Sequence, residues 1–299
     1  MSVFIGLLKN VLEEGFIYAI LALGVYVSYT ILDFPDLSVD GTFPLGACAT
    51  AALIAAGVNP LLACLISFVC GALAGCLTGV LHVVLKIRAL LCGILVMTAL
   101  WSVNLVITGN KSVLPFYDMP TIFNGALASL LPENLYRYRV VIIGLLCALL
   151  VKLLLDLFFA TKAGLLLRAV GDNAQLVTSL AKDEGSVKIL GLAIANGCAA
   201  LSGSVLAQQA ESANISSGTG MVVLALASVI IGQTVFRRLK GLRATSAVLL
   251  GAVLYKACLS LAMQLGLPAS FLKLLMAAIL VAALMSDKLS LKRRASHAD

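Results

Sequence analysis

Apolar residues form long blocks in this sequence, and polar segments separate the blocks at uneven intervals. The nine blocks cover residues 15–33, 42–57, 60–85, 89–108, 140–160, 188–210, 221–236, 245–265 and 268–286. Most of them approach the length of about 20 residues that an α-helix needs to cross a lipid bilayer. The pattern therefore predicts an all-α polytopic membrane protein with about eight to nine transmembrane helices.

The block at 42–57 is short, and Pro44, Gly46 and Gly57 interrupt it. Irregular backbone at membrane depth persists only where protein or a water-filled cavity covers it. We therefore predict a half-helix near 42–57, in a segment that enters the membrane, turns at mid-depth and returns to the same side. Half-helices of transporters often border the substrate path. This interpretation places the N-terminus in the cytoplasm.

The composition agrees with a membrane domain and excludes other classes of protein. Hydrophobic residues make up 61% of the chain and charged residues only 12%, with a mean hydropathy of +1.08. Soluble domains are about 45–50% apolar and about 25% charged, and disordered chains are less hydrophobic still. Residues 1–299 are predicted to form a single transmembrane domain, with no room for a large soluble domain.

The basic residues are concentrated in a few polar segments. The net charge is +7, and fourteen of the 21 basic residues lie in segments 86–88, 161–188, 237–243 and 288–299. The positive-inside rule places these segments in the cytoplasm. The predicted organisation has an external loop at 109–139, a cytoplasmic loop at 161–187 and a cytoplasmic tail at 287–299. Because no basic face is interleaved with aromatic residues, nucleic-acid binding is not predicted.

An acidic segment between residues 32 and 42 is one candidate for the translocation path. Its polar side chains are Asp33, Asp36, Ser38 and Asp40, and a capped helix is predicted to begin near Ser38 or Asp40. The residues alone leave two interpretations open, a polar lining of the path or an ordinary external loop.

Charged residues inside the apolar blocks are further candidates. Lys256 lies near the middle of 245–265, and an ionisable group at membrane depth is a functional-site hypothesis. Lys152 and Asp156 are four residues apart, which predicts an ion pair on one helix face.

Glycines and cysteines in the blocks point to helix packing. Gly71, Gly75 and Gly79 recur every four residues, a spacing that allows close helix approach in lipid. The eight cysteines all lie in apolar blocks and are interpreted as small packing residues. The sequence has no phosphate-binding loop, HExxH motif or nucleophile elbow. Neither catalysis nor a metal or cofactor site is predicted, and any ATP hydrolysis is expected on another chain.

The loop from Thr161 to Asn173 is too apolar to rest in water. A short helix is predicted at 165–170, with Gly171 in the left-handed position that often ends a helix. Its leucines need a surface, which is either the end of this chain's own helices or a groove on a partner.

Two stretches resemble a known family, the membrane permeases of bacterial ABC importers for branched-chain amino acids and simple sugars such as ribose. They are Asp36-Leu37-Ser38-Val39-Asp40-Gly41 and Gly-Leu-Leu-Leu-Arg-Ala-Val-Gly-Asp-Asn at 164–173. Asp40 is an insertion relative to the sugar-permease pattern. The string from Ile31 to Thr42 is closer to amino-acid permeases, some of them linked to tryptophan or other aromatic amino acids.

The resemblance implies a permease subunit of the bacterial inner membrane that forms the translocation path of an importer. It implies a pair of permease chains, expected to be a homodimer, two ABC ATPase subunits and an external binding protein that delivers an amino acid or similar small solute. The residues implied in coupling to the ATPase are Gly164, Leu167, Arg168, Ala169, Gly171, Asp172 and Asn173. The alternative is a stand-alone secondary transporter or channel driven by an ion gradient, with Lys256 and Asp33 as its candidate ion sites.

Overall fold

The computed structural model describes residues 2–125, 132–172, 183–236, 241–266, 268, 271, 274–282 and 284–285. Nine α-helices dominate these segments: α1 Ser2–Val25, α2 Val39–Ala55, α3 Pro60–Val83, α4 Ala89–Ile107, α5 Arg139–Ala160, α6 Lys162–Asp172, α7 Glu184–Ala210, α8 Met221–Phe236 and α9 Ala244–Gln264. A π-helical turn, Tyr26–Ile31, continues α1, and 3₁₀-helices cover Glu133–Tyr138 and Ile215–Gly218. Residues 274–282 are also helical.

Seven helical segments in the described residues are long and apolar enough to cross a membrane. The first of them, Ile5–Ile31, combines α1 with the π-helical turn, and α2 is a shorter apolar helix. The predicted fold class, an all-α polytopic membrane protein, is confirmed. The ninth block, 268–286, is described only in part, and the predicted tail at 287–299 lies outside the described residues.

The two ends of the helix bundle carry different elements. A small antiparallel sheet forms where β1, Val113–Pro115, pairs with β2, Ser212–Asn214, and we call this the sheet end. The short helix α6 lies at the opposite end, which we call the α6 end. Helix α7 runs from the α6 end to the sheet end, and at its start the Asp183 carboxylate accepts hydrogen bonds from the backbone N–H groups of Gly185 and Ser186. A hydrogen bond from the Ser186 hydroxyl, together with these two backbone bonds, holds the pKa of Asp183 below its ordinary value.

Helix α7 lies in the centre of the bundle and packs against α1, α2 and α3. Gly71, Gly75 and Gly79 of α3 all face it. A Cβ placed at Gly75 would overlap the carbonyl oxygen of Leu192 in α7. The glycine spacing thus brings the backbones of α3 and α7 into direct contact.

Helix α1 runs in the direction opposite to α7. In the middle of the first span, the Ile17 carbonyl accepts a hydrogen bond from Ser202 Oγ at 2.8 Å, in the half of α7 nearer the sheet end. At the end of the same span, Ile31 lies against Gly171 of α6. The chain therefore begins its first crossing at the sheet end and completes it at the α6 end.

The second crossing consists of an extended segment followed by a helix. Residues 32–38 lead back from the α6 end to mid-depth, where Ser38 Oγ donates to Asn196 Oδ1 of α7 at 3.1 Å. Helix α2 then continues to the sheet end, and its Thr50 donates to Ser204 at 2.6 Å. We call residues 32–38 the broken segment.

This arrangement corrects two predictions about the first crossings. The half-helix exists as α2, but it completes a crossing and does not return to the side from which the chain came. The N-terminal end of α1 therefore lies opposite α6, whereas the sequence interpretation placed it on the side of the 161–187 loop. The reason is that the acidic segment runs inside the bundle, where Asp36 is buried and hydrogen-bonded to Asn196.

The predicted ion pair in α5 is confirmed. Lys152 Nζ lies 3.0 Å from Asp156 Oδ2, four residues along the helix. Asp156 also pairs with Arg243 at 3.1 Å and accepts a hydrogen bond from Thr245 at 2.6 Å. The carboxylate therefore joins α5 to the start of α9.

Candidate translocation path and coupling helix

The polar groups of the broken segment converge on one amide. Asn196 Nδ2 donates to Asp36 Oδ2 at 2.7 Å, and Asn196 Oδ1 accepts from the hydroxyls of Ser38 and Thr42. The backbone N–H of Ser38 donates to the other carboxylate oxygen of Asp36 at 2.8 Å. All four side chains are buried. We call these four residues the Asn196 cluster.

The Asn196 cluster stabilises a backbone break at mid-depth. Residues 32–38 are not helical, and their polar groups have no water to bind in a membrane interior. In place of water, Asp36 accepts a hydrogen bond from the backbone N–H of Ser38, and Asn196 accepts one from its hydroxyl. Two of the predicted path residues, Asp36 and Ser38, are therefore buried and hydrogen-bonded inside the bundle.

The two other acids of this segment lie in different surroundings. Asp33 is exposed, has a positive φ of 52° and lies near the α6 end. Asp40, in the first turn of α2, accepts hydrogen bonds from the backbone N–H groups of Gly220 at 3.0 Å and Val222 at 2.8 Å. It thereby binds the N-terminal end of α8 to α2, since free N–H groups at a helix start attract an anion.

Lys256 is far from these acids and has its own partner. Its Nζ lies 2.5 Å from Glu14 Oε2, which joins α9 to α1, and 5.8 Å from the ring centre of Tyr18. The lysine is 9% exposed. The structure thus does not bring the five predicted path residues together, and Lys256 forms an ion pair between helices.

A double substitution separates an ion-pair role for Lys256 from a role in the path. We expect Lys256→Met alone to lower the stability, by less than the roughly 3–5 kcal/mol of a fully buried pair, since it leaves Glu14 unpaired. Adding Glu14→Gln should restore most of the midpoint of thermal unfolding in detergent. If the double variant stays as unstable as the single one, the ion pair is not the reason for the loss.

The predicted coupling residues lie on α6, which extends further than the predicted 165–170. One face of α6 packs on the bundle. Leu167 is fully buried, Val170 nearly so, and a Cβ at Gly164 would overlap the Phe158 carbonyl oxygen at the end of α5. The sequence left open whether this segment rests on the chain's own helix ends or on a partner. For this face of α6, the chain's own helix ends are the surface.

Gly171 has a different role from the predicted one. It is helical, and its φ is not among the positive values of the described glycines. A Cβ at this position would overlap the carbonyl oxygen of Ile31, at the end of the π-helical turn. Gly171 is thus needed for close contact between α6 and the broken segment, and the left-handed helix end predicted there is wrong.

The opposite face of α6 is exposed. Leu165 is 56% exposed, and Arg168 and Asp172 also face outward. The Arg168 guanidinium lies 4.9 Å from the ring centre of Phe159, and Ala169 is half-buried against the core. Asn173, the last predicted coupling residue, lies outside the described residues.

A cleft of about 570 Å³ opens beside this exposed face. Arg168 and Arg243 contribute cationic groups to it, Asp156 contributes a carboxylate, and Tyr26 and Phe159 contribute aromatic rings. The α6 end therefore offers an apolar side chain, paired charges and a recess within one region, which is a combination typical of protein docking surfaces.

Sequence reasoning missed three polar residues that the structure makes prominent. Asn196, Asn104 and Glu14 each lie within or beside an apolar block, which is the signal that could have found them. Their partners are distant in sequence, since Asn196 binds Asp36 and Glu14 binds Lys256. No local spacing predicts such pairs.

The fold and these polar elements define a polytopic membrane protein with polar groups buried in its helix bundle, and comparisons with known proteins place it in a family. The chain belongs to the family described as branched-chain amino acid transport system, permease component, whose profile matches residues 7–284. It is a permease of the ABC transporter family.

Two relatives illustrate the range of the family. The chain is 40% identical to a tyrosine transport system permease protein of Clostridioides difficile over 289 residues, which are 97% of this chain and 94% of that protein. It is 29% identical over 253 residues to the autoinducer 2 import system permease protein LsrC of Escherichia coli, covering 84% of this chain and 70% of that protein. A comparison with solved structures finds no match.

Proposed function

We propose that this chain is the permease subunit of an importer that takes up an amino acid, with tyrosine as the first substrate to test. The similarity to the tyrosine transport permease extends over almost the whole length of both proteins. The proposal adds a binding protein at the sheet end, an ABC ATPase at the α6 end and a second permease chain. The observation that carries it is α6, a helix held on the bundle by one face with the other face open.

The proposed membrane orientation follows from charge. Lys86, Arg88, Arg168 and Arg243 all lie at the α6 end or in the turns that reach it, which favours a cytoplasmic location for that end. The sheet end and the start of α1 would then face outward. ATP binding would move the ATPase subunits, α6 would follow, and the helices would alternate access to the path.

Reconstitution tests this proposal against the ion-driven alternative. The tagged chain is purified with its associated ATPase, placed in lipid vesicles and supplied with binding protein and labelled tyrosine. We expect uptake that requires ATP, about tenfold or more above the level without ATP, and no uptake from a proton or sodium gradient alone. Gradient-driven uptake by the chain without ATPase would instead support a secondary transporter.

The distribution of charges makes the alternative less favourable. Its two candidate ion sites are far apart, with Lys256 paired to Glu14 on the sheet-end half of α1 and Asp33 exposed near the α6 end. A coupled ion site needs several ligands in one place, which these two residues do not provide.

A further inference from the structure

A cavity of about 240 Å³ lies directly above the broken segment. Its floor is the first turn and a half of α2, with Asp40, Gly41 and Pro44. Helix α4 forms one wall, and Ile215 and Thr219, from the 3₁₀-helix before α8 and the residue that follows it, form another. The cavity therefore extends from mid-depth toward the sheet end, next to the broken segment.

Two side chains of this cavity, Asp40 and Asn104, carry oxygen atoms that accept hydrogen bonds. Asp40 supplies a carboxylate that the N–H groups of Gly220 and Val222 hold in place. A carboxylate has about four lone-pair sites, so a carboxylate fixed in this way can bind an ammonium group beside its other partners. Among the described lining residues there is no basic side chain.

The side-chain oxygen of Asn104 is a second acceptor in this cavity, and it has no hydrogen-bond partner among the described residues. The residue is fully buried, and its Nδ2 donates to the Gly41 carbonyl at 3.2 Å. An acceptor that is buried without a hydrogen-bond partner destabilises the protein. A cationic donor in the cavity would remove that cost.

The remaining walls are apolar or aromatic. Met97 and Trp101 of α4 lie one helical turn apart and face the cavity, with Pro44 opposite. Trp rings bind both cations and other aromatic rings. The volume is slightly below the range of about 300–1,000 Å³ for small-molecule pockets, so it suits one small solute and not an oligosaccharide.

We infer that this cavity is a binding station for the amine of the transported solute, with Asp40 and Asn104 holding the ammonium group and Trp101 and Met97 contacting an apolar or aromatic side chain. The inference rests on the proposed function and deepens it. The preferred ligand is an amine of amino-acid size, and the carboxylate of an amino acid would contribute little to binding.

Trp101 provides a direct test because it is the sole tryptophan of the chain. The full-length protein in detergent is titrated with L-phenylalanine, with phenylalaninol, which lacks the carboxylate, and with 3-phenylpropionate, which lacks the amine. Excitation at the red edge of indole absorption avoids the ligands. We expect saturable changes in Trp101 emission with the two amines and none with 3-phenylpropionate.

Two variants locate the interaction, and one matched variant controls it. Asp40→Asn should weaken amine binding about tenfold or more, since it removes a charge-assisted hydrogen bond. Asn104→Leu, which removes the acceptor at similar size, should also weaken it. Asp118→Asn makes the same change as Asp40→Asn at an exposed loop position and should leave the titration unchanged. Size-exclusion profiles show which variants are folded.

The outcomes separate this inference from the proposed function. The inference is overturned if wild-type Trp101 does not respond, if all three ligands act alike, or if folded Asp40→Asn binds as tightly as the wild type. ATP-driven uptake together with any of these results would leave the proposed function standing. Saturable amine binding without ATPase association would leave the cavity standing and overturn the proposed importer.

Discussion

Replacing Gly171 with valine is expected to remove most of the ATPase that purifies with the chain while leaving the chain in the membrane. A Cβ at this position overlaps the Ile31 carbonyl oxygen, so α6 must move away from the bundle. Overpacking of this kind costs about 1–3 kcal/mol. Because about 1.4 kcal/mol is a tenfold change in an equilibrium constant, we expect about tenfold less ATPase.

Gly6→Val is the matched control for this experiment. It adds the same side chain to a helical glycine with nothing near its Cβ position, so it should leave ATPase recovery unchanged. The measurement is the amount of ATPase recovered per amount of tagged chain from solubilised membranes. Equal recovery with Gly171→Val and Gly6→Val would contradict the proposed role of α6.

Replacing Asn196 with leucine is expected to destabilise the whole bundle. The substitution leaves the Asp36 carboxylate without its 2.7 Å donor and removes the acceptor of Ser38 and Thr42. A buried charged group that loses its partner costs about 3 kcal/mol or more. The yield of monodisperse protein and the midpoint of thermal unfolding in detergent should both fall.

Two further substitutions show whether the buried charge is the cause. Asn10→Leu makes the same change at an exposed position of α1 and should have little effect. Asp36→Asn in the Asn196→Leu background should recover part of the stability, because a neutral amide costs less to bury than a carboxylate. An Asn196→Leu protein as stable as Asn10→Leu would show that the cluster does not support the broken segment.

Local features of the sequence were sufficient for the helices and for one ion pair. Span length and hydropathy are properties of consecutive residues, so the blocks predicted the membrane helices well. The pair between Lys152 and Asp156 followed from a spacing of four residues. Both predictions depend only on residues within one helix, and their order in the sequence is enough to make them.

Contacts between distant residues could not be predicted in the same way. The sequence left open whether Asp36 lines the path or lies in an external loop, because its partner, Asn196, is 160 positions away. The segment was therefore predicted to return to the side from which it came, and this prediction reversed the side assigned to the start of α1. Gly171 was read as a helix end for a similar reason, since its close neighbour, Ile31, belongs to another crossing.

The contact between Gly171 and Ile31 connects the position of α6 to the broken segment, which leads to the proposed solute cavity. Ile31 continues directly into the broken segment, which is bonded to Asn196 and leads to Asp40 at the N-terminal end of α8. A shift of α6 that displaces Ile31 is therefore expected to move Asp40 at the floor of the cavity, since fewer than ten residues of chain separate the two. Thermodynamic linkage makes such coupling mutual, so a solute that favours one position of α6 must change the affinity for whatever binds α6 by the same factor.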